Sequence, residues 1–399
     1  MIVARKALQQ LQVLSQQFPV VAVLGPRQVG KTTLVKEFLP RIPKPNIYLN
    51  LEKLSDLTRL EEPELFLNEH RNHCVIIDEV QRKMDLFPLL RSLVDEKRES
   101  FRFIILASAG PNLLKRSSET LAGRIAYLEL SGFNLLEISE ICPMQTHHFR
   151  GGLPESTLAK SDDQSRNWLD NFILTYIERD LPMLGLRASS ITIRRLWEML
   201  AWQNGSPINF SSIGKSLGLS HHTIAGYIDF LENAYLITRL QPYYFNIKKR
   251  LVKSPKIYIR DTGILHRLLR INDFHQLSGS PFLGASWEAY VIEQINSLKT
   301  GDVDLYFYRT HAGAEMDLVL VKGLEPIATA EIKYTSSPRP GKGMLQCITD
   351  LATDRNFIIV PAQIDFPVHA SVRACGLNIF LQKYLPALVL DRNSKTETP

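Results

Sequence analysis

Across 399 residues the chain carries four cysteines, Cys74, Cys142, Cys347 and Cys375, and no two of them form a CxxC or stand beside a histidine at metal-ligand spacing. That excludes a disulfide scaffold and a cysteine-built zinc site, and it reads as small buried thiols in a reducing compartment. Long apolar runs are missing too. No segment approaches the roughly 20 apolar residues that span a bilayer, and the start, MIVARKALQQLQ, is an amphipathic helix pattern without a leader's apolar block or cleavage site. A cytoplasmic protein with no membrane partner is expected. Biased composition is absent: 21 Gly and 22 Pro are scattered through a chain that is 45% hydrophobic and 22% charged, with no solenoid period. Collagen, coiled-coil and low-complexity readings therefore fail. Charge of one sign is scarce, since Lys plus Arg exceeds Asp plus Glu by 47 − 41 = 6. So mild an excess favours polyanions only where it is clustered.

What is present has the size of several domains at roughly 100–200 residues each. Residues 1–150 alternate apolar runs with helical periods: VVAVLG, a helix from Lys31, IYLNL, CVIIDEV, FRFIILAS and IAYLELS. Five short apolar runs separated by helices predict a parallel sheet covered on both faces. A turn-rich link leads to a helical stretch from about Ser165 to Tyr243, where apolar residues recur at spacings of three and four. After a basic stretch comes a helix near Ser286–Ser297, then strand-like LYFYRT, EMDLVLV, IATAEIKY and FIIVPA, with GMLQCITDL as a helix between the last two.

The most specific motif is Gly25-Pro26-Arg27-Gln28-Val29-Gly30-Lys31-Thr32, followed by Thr33, between the strand VVAVL and a helix. This is the phosphate-binding pattern GxxxxGK[ST] in its required context. Its glycines let backbone N–H groups wrap a phosphate, the helix directs its positive end at the same anion, Lys31 neutralises the outer phosphates, and the Thr32 hydroxyl can hold Mg²⁺. The run Cys74–Ile77 ends in Asp78-Glu79. A carboxylate at that strand tip can organise the Mg²⁺ shell, which is the role of Asp78, and Glu79 can direct the attacking water as general base. Ser108, after the strand Phe101–Leu106, has two readings, a sensor of the terminal phosphate or an ordinary turn residue. Arg124 has two as well: a charge-neutralising finger, which requires a dimer or ring if it acts across a subunit boundary and none if it acts within its own subunit, or a plain surface arginine.

Taken together, GPRQVGKTTL, YLNLE, EEPELFL, VIIDEVQR, LKRSSETLAGRI and YIERDL resemble the motif series of bacterial and archaeal AAA-type ATPases that carry a carboxy-terminal domain of unknown function. The resemblance spans nearly the whole chain. It implies a P-loop NTPase core that binds ATP and Mg²⁺, with Lys31, Thr32, Asp78, Glu79, Ser108 and Arg124 in the roles above. One departure is that the family commonly has Thr-Gly-Ser where this chain has Leu106-Ala107-Ser108.

In the middle, Phe210–Leu217, the turn Gly218–Ser220 and a helix from Thr223 to Tyr235 form a helix-turn-helix pattern, with Ser220, His221, His222 and Thr223 where a recognition helix presents its first turn. Residues 248–270 hold eight Lys or Arg against one acid, Asp261, with Tyr243, Tyr244 and Phe245 in front. That predicts a winged-helix unit whose wing follows a phosphate backbone, so double-stranded DNA is the expected partner of residues 210–270. A lid or docking module is the alternative. Near the carboxy terminus, Glu288 on a helix, Asp317 on a strand and Glu331-Ile332-Lys333 at the end of the next resemble the PD-(D/E)xK arrangement of restriction-endonuclease-like nucleases, with Met316 in place of the usual proline. Alternate strand residues share a face, so Glu331 and Lys333 point the same way and Asp317 can join them. Asp317, Glu331 and Glu288 would hold Mg²⁺ and Lys333 would position water.

The sequence thus predicts an α/β protein of three parts: an AAA-type ATP-binding domain over 1–150, a helical and winged-helix domain over 151–270, and a restriction-endonuclease-like α/β domain over 271–399. The expected function is ATP hydrolysis acting on or regulated by DNA. Two alternatives stand beside it, an ATP-regulated nuclease and a nucleotide-switched scaffold that recruits a protein.

Overall fold

The computed structural model describes residues 3–108, 120–244, 252–299 and 301–390. The first five apolar runs become β1 (Val20–Leu24), β2 (Asn46–Asn50), β3 (Cys74–Asp78), β4 (Phe103–Ala107) and β5 (Ile125–Glu129). All are parallel, in the order β2-β3-β4-β1-β5. Each residue of β1, β3 and β4 is buried, because both faces are covered. Val20, Ala22, Leu24, Val75 and Ile77 pack with Leu86, Phe87, Leu90 and Leu93 of the helix Leu86–Glu96. Their neighbours Val21, Val23 and Ile76 pack on the opposite face with Leu8 and Leu11 of the helix Ala7–Gln17 and with Leu34, Val35 and Phe38 of the helix Lys31–Phe38. Burying each such side chain contributes about 1.5–3 kcal/mol, so the unbroken apolar runs and the two-sided cover explain each other. Since β4 lies between β1 and β3, the residue after β4, Ser108, falls between the loop that leaves β1 and the end of β3.

The middle region is helical as far as Asn233, in Asp162–Thr175, Ser190–Trp202, Phe210–Leu217 and His221–Asn233, but the end of the stretch expected to be helical, Ile237–Pro242, is a strand. Gly218, in the left-handed region at φ +69°, ends the third of these helices, and the Ser220 side chain accepts from the Thr223 N–H to start the fourth. The helix-turn-helix is therefore present, its second helix opening at His221.

A second sheet of eight strands completes the molecule. It contains β6 (Ile237–Pro242), β7 (Lys256–Ile259), β8 (Val303–Arg309), β9 (Glu315–Lys322), β10 (Glu325–Ile332), β11 (Asn356–Val360), β12 (Asp365–His369) and β13 (Val372–Gly376). Their order is β12-β13-β11-β10-β9-β8-β6-β7. The sheet is mixed: β8-β9-β10 is antiparallel, whereas β10, β11 and β13 run parallel, with the helix Lys342–Leu351 crossing from β10 to β11.

This sheet corrects the reading of the basic stretch. β6 is antiparallel to β7 and parallel to β8 through Gln241 and Pro242, so the pair continues the carboxy-terminal sheet instead of standing free as a solvent-facing wing. Lys256 is 2% exposed, Arg260 is bound to Glu293 at 2.8 Å and Glu129 at 2.7 Å, and Arg267 is held by Asp170 at 2.9 Å. Lys253 and Arg270 are exposed, while Phe245, Lys248, Lys249 and Arg250 lie outside the described residues. The charge run is dense because each of three cations meets an acid distant in sequence.

Three buried histidines join the middle region to the helix Leu283–Leu298. The His266 Nδ1 donates to the Phe149 carbonyl at 2.8 Å, so its Nε2 accepts the Ser286 hydroxyl at 2.7 Å, and Ser286 accepts in turn from His148 Nε2 at 2.8 Å. His147 donates through Nε2 to the Phe133 carbonyl and accepts the Tyr290 hydroxyl on Nδ1. Burial lowers His147 and His266 to about 4 and drives His148 well down. Below pH 6.5 the unfolded histidines take up protons that the folded ones refuse, so stability falls with pH between about 6.5 and 4. Urea unfolding should lose roughly 3–6 kcal/mol between pH 7 and pH 5, and His266→Gln should flatten that slope. Equal stability at the two pH values would contradict the neutral, buried assignment.

Candidate functional site

The loop Gly25–Gly30 leaves the carboxyl end of β1 and enters the helix Lys31–Phe38. Gly25 sits at φ +152° with no room for a side chain, since a Cβ there would meet the Leu130 carbonyl oxygen at 2.2 Å. Gly30, at φ +96°, turns the chain into the helix, and Gln28 is also left-handed, at φ +61°. From behind, Arg5 supports the loop: its Nη1 donates to the Val29 carbonyl at 3.2 Å, its Nη2 to Ser131 at 2.7 Å, and its Nε faces Glu137 at 3.2 Å. Arg5 is not legible as a site residue in the sequence, because three of its four partners, Ser131, Gly132 and Glu137, are more than a hundred residues away on the chain.

Lys31 is buried, and its ammonium donates to the carbonyls of Gly25 (3.0 Å) and Pro26 (2.8 Å) and to Ser108 Oγ (3.3 Å). Burial pushes its pKa down to about 8, against the pull of the Glu79 and Asp78 charges. The Thr32 hydroxyl donates to Asp78 Oδ2 at 2.8 Å, and the Tyr48 hydroxyl donates to the same oxygen. Asp78 Oδ1 accepts the Glu79 N–H at 3.0 Å. Glu79 occupies the left-handed region at φ +57°, a costly conformation for a residue with a Cβ, and accepts from Gln81 Nε2. Burial raises its carboxyl, while the charges of Lys31 and Arg27 pull the other way. Loop, Lys31, Thr32, Asp78, Glu79 and Ser108 thus meet at one edge of the sheet. Open glycine backbone, an ammonium hydrogen-bonded to neutral oxygens and a hydroxyl paired with a carboxylate suit a nucleotide's phosphates with Mg²⁺.

Arg124 does not join this group. It precedes β5, and its carbonyl accepts the N–H of Val20, the first residue of β1, which puts it at the opposite edge of the sheet from the loop. There it grips Asp95 through Nε and Nη2, the latter at 3.0 Å. A role on the nucleotide of its own subunit is excluded by that position.

Two further features escape the sequence reading. Asp180 pairs with Arg27 Nη1 at 2.8 Å, the side chains being 11% and 16% exposed. A cavity of about 530 Å³ beside the loop is lined by Gly30, Thr33, Leu34, Phe133, Leu158 and Trp168, among others.

The carboxy-terminal candidates also converge. Glu288, Asp317, Glu331 and Lys333 share one end of the second sheet: Asp317 Oδ2 accepts the Ile332 N–H at 2.8 Å, and Lys333 pairs with Glu331 at 2.8 Å. The expectation of a metal-ready triad needs correction, however. The ammonium of Lys256, from β7, stands 3.0 Å from Glu288, 2.8 Å from Glu315 and 3.9 Å from Asp317, and Tyr258 donates to Glu288 at 2.5 Å. Burial and the Glu288 charge push Asp317 up to about 8. Among the described residues no group of three or more His, Cys, Asp or Glu is arranged to hold a metal ion, because a lysine from the preceding region fills the cluster. Nor is any helix among them long and apolar enough to cross a membrane.

Residues 17–139 match the AAA domain, residues 143–275 a domain of unknown function (DUF8612), and residues 283–380 another (DUF4143). The uncharacterized proteins Rv2008c of Mycobacterium tuberculosis and Mb2031c of Mycobacterium bovis are each 42% identical over 356 residues, covering 89% of this chain and 79% of theirs. Among solved structures, the Walker-type ATPase PABY2304 of Pyrococcus abyssi superposes with a TM-score of 0.48 at 15% identity over 67% of this chain and 96% of that one. A variant of RuvB from Thermotoga maritima gives 0.30 at 17% identity over 59% and 90%.

The buried lysine can be tested directly. Lys256→Met strands carboxylates inside the protein and should cost roughly 3–5 kcal/mol at pH 7, measured by chemical unfolding. A variant as stable as wild type at pH 7 would show that the ammonium is no part of the joint.

Proposed function

Because the chain belongs to the family that joins an AAA domain to a carboxy-terminal DUF4143 domain, we propose that it binds ATP with Mg²⁺ and hydrolyses the terminal phosphoanhydride. The observation that carries this reading is the buried Lys31 ammonium, turned onto the loop's own carbonyls in reach of Thr32, Asp78, Glu79 and Ser108. On this reading the loop amides and Lys31 grip the phosphates, Thr32 and Asp78 hold the metal, and Ser108 hydrogen-bonds at the terminal phosphate. A Mg²⁺ ion held there would supply charge neutralisation for the phosphates. Glu79, raised by burial yet held near two cations, accepts a proton from water and orients it. The cavity at Phe133, Leu158 and Trp168 has the size of a base seat, with Arg5, Glu37, Glu155, Lys160 and Gln164 adding polar groups to its apolar wall.

DNA coupling belongs to this reading through the helix-turn-helix at 210–233, with less help from the basic stretch than its composition suggests, since Lys256, Arg260 and Arg267 already have acidic partners. The nuclease version requires a divalent cation among Glu288, Asp317 and Glu331, where Lys256 now stands. The geometry therefore favours the ATPase.

Lys31→Ala should abolish nucleotide binding, and Glu79→Gln should keep binding while lowering phosphate release at least ~100-fold. Normal turnover by Glu79→Gln would remove its role. Adding double-stranded DNA at low salt should stimulate the wild type, an effect that fades as salt rises; hydrolysis indifferent to DNA would detach the DNA part. For the base seat, ATP should change the fluorescence of the wild type and leave that of Trp168→Phe nearly unaltered. An identical change in both would place the base elsewhere.

A further inference from the structure

The geometry points to Arg27 as the arginine that meets the outermost phosphate of the bound nucleotide from within the same chain, held for that task by Asp180 of the middle region. The inference rests on the ATPase reading above. Gly25 and Pro26, whose carbonyls receive the Lys31 ammonium, mark where the loop faces the outer phosphates, and Arg27 is the next residue. Its charge reaches both Lys31 and Glu79, the two groups that must flank the bond to be broken. A cation there neutralises the charge that develops on the transferred phosphoryl group, a task Arg124 cannot perform for its own subunit from the far edge of the sheet.

Asp180 supplies the hold. Arginine carries five N–H donors in a planar fork; Nη1 is spent on Asp180, while the buried Nε has no hydrogen-bond partner among the described residues. A buried donor without an acceptor costs free energy, and a phosphate oxygen would satisfy it while the Asp180 contact persists. Asp180 closes a π turn, Tyr176–Asp180, in which the Leu181 N–H reaches back five residues to Tyr176. Pro182 follows and has no N–H to continue an ordinary helical ladder. Such single wide turns inside helices frequently stand at functional sites. Here the turn belongs to the run Asp162–Met183, which carries Trp168 and Phe172 in its first half. Asp180 is therefore a positioning residue, and the same ion pair tells the middle region whether a third phosphate is present: when it departs, Arg27 is left with Asp180 alone.

The test compares ATP with ADP. In Arg27→Ala the affinity for ADP should stay within about threefold of wild type, while ATP affinity falls and kcat drops at least ~100-fold, below the range for arginines that act in this way. Asp180→Asn, which keeps one acceptor but no charge, should show the same ATP-selective loss at about a tenth of wild-type turnover. Arg27→Lys should restore part of the ATP affinity. Thermal midpoints separate this from misfolding, because a merely structural pair would weaken ADP and ATP alike. Should Arg27→Ala lose ADP as severely as ATP, or Asp180→Asn turn over like wild type, the inference falls while the ATPase stands. A wild type that neither binds nor hydrolyses ATP overturns the ATPase reading itself, and this inference with it.

Discussion

A lysine ammonium taken out of water and offered to neutral oxygens shapes the amino-terminal half of this molecule. Lys31 has two backbone carbonyls and a serine hydroxyl as hydrogen-bond partners, and transferring a cation to such a place costs several kcal/mol. It is tolerated because the sheet around it is rigid: β1 lies inside the sheet, apolar at every residue and covered on both faces. The local conformations follow from the need to fold backbone around one point. Gly25 has no space for a Cβ, Gly30 turns left-handed, and Glu79 accepts the same strained region to leave β3 beside the loop. Arg5 completes the arrangement by holding Val29 from behind.

Ion pairs and short polar networks, more than apolar contact alone, tie this half to the rest. Arg260 is bound at once to Glu129 at the end of β5 and to Glu293 in the helix Leu283–Leu298, with Tyr235 against its guanidinium. Asp261 accepts the N–H groups of Gly152, Leu153 and Ile264, and a Cβ at Gly151 would sit 2.2 Å from its Oδ1. Arg27 with Asp180 belongs to the same set. Breaking one partner of a buried pair leaves an uncompensated charge at roughly 3–5 kcal/mol, against about 0–1 kcal/mol for a surface pair. The phosphate loop is therefore joined to the middle region by groups that cannot be separated cheaply.

Much of this is legible in the sequence where the signal is local. The five strands of the first sheet, the phosphate loop between β1 and its helix, the helix-turn-helix at 210–233 and four of the six strands of the last hundred residues, β8 to β11, announce themselves through period and turn residues within a short window, whereas β12 and β13 do not. Asp78, Glu79 and Ser108 stand out as strand ends, and the structure places all three beside Lys31. What is illegible is which way a charge faces. Lys256 and Arg260 look like a basic surface in one dimension, yet their acids, Glu288 and Glu293, lie on a helix some thirty residues further on. Asp180 is visible as part of YIERDL, but a motif does not reveal that its aspartate reaches a loop far back along the chain.

The two buried lysines decide between the sites better than their sequence motifs do. Around Lys31 burial dominates and the pKa falls to about 8. Around Lys256 burial acts in the same direction, but Glu288, Asp317 and Glu315 outweigh it and the pKa rises above that of an ordinary lysine. One ammonium donates to neutral oxygens and gains when an anion arrives. The other is already surrounded by acids, and a divalent metal would first have to expel it. The same residue type thus marks an open seat for phosphate in the first domain and, in the second sheet, a closed joint that fastens β7 to β9 and the helix Leu283–Leu298.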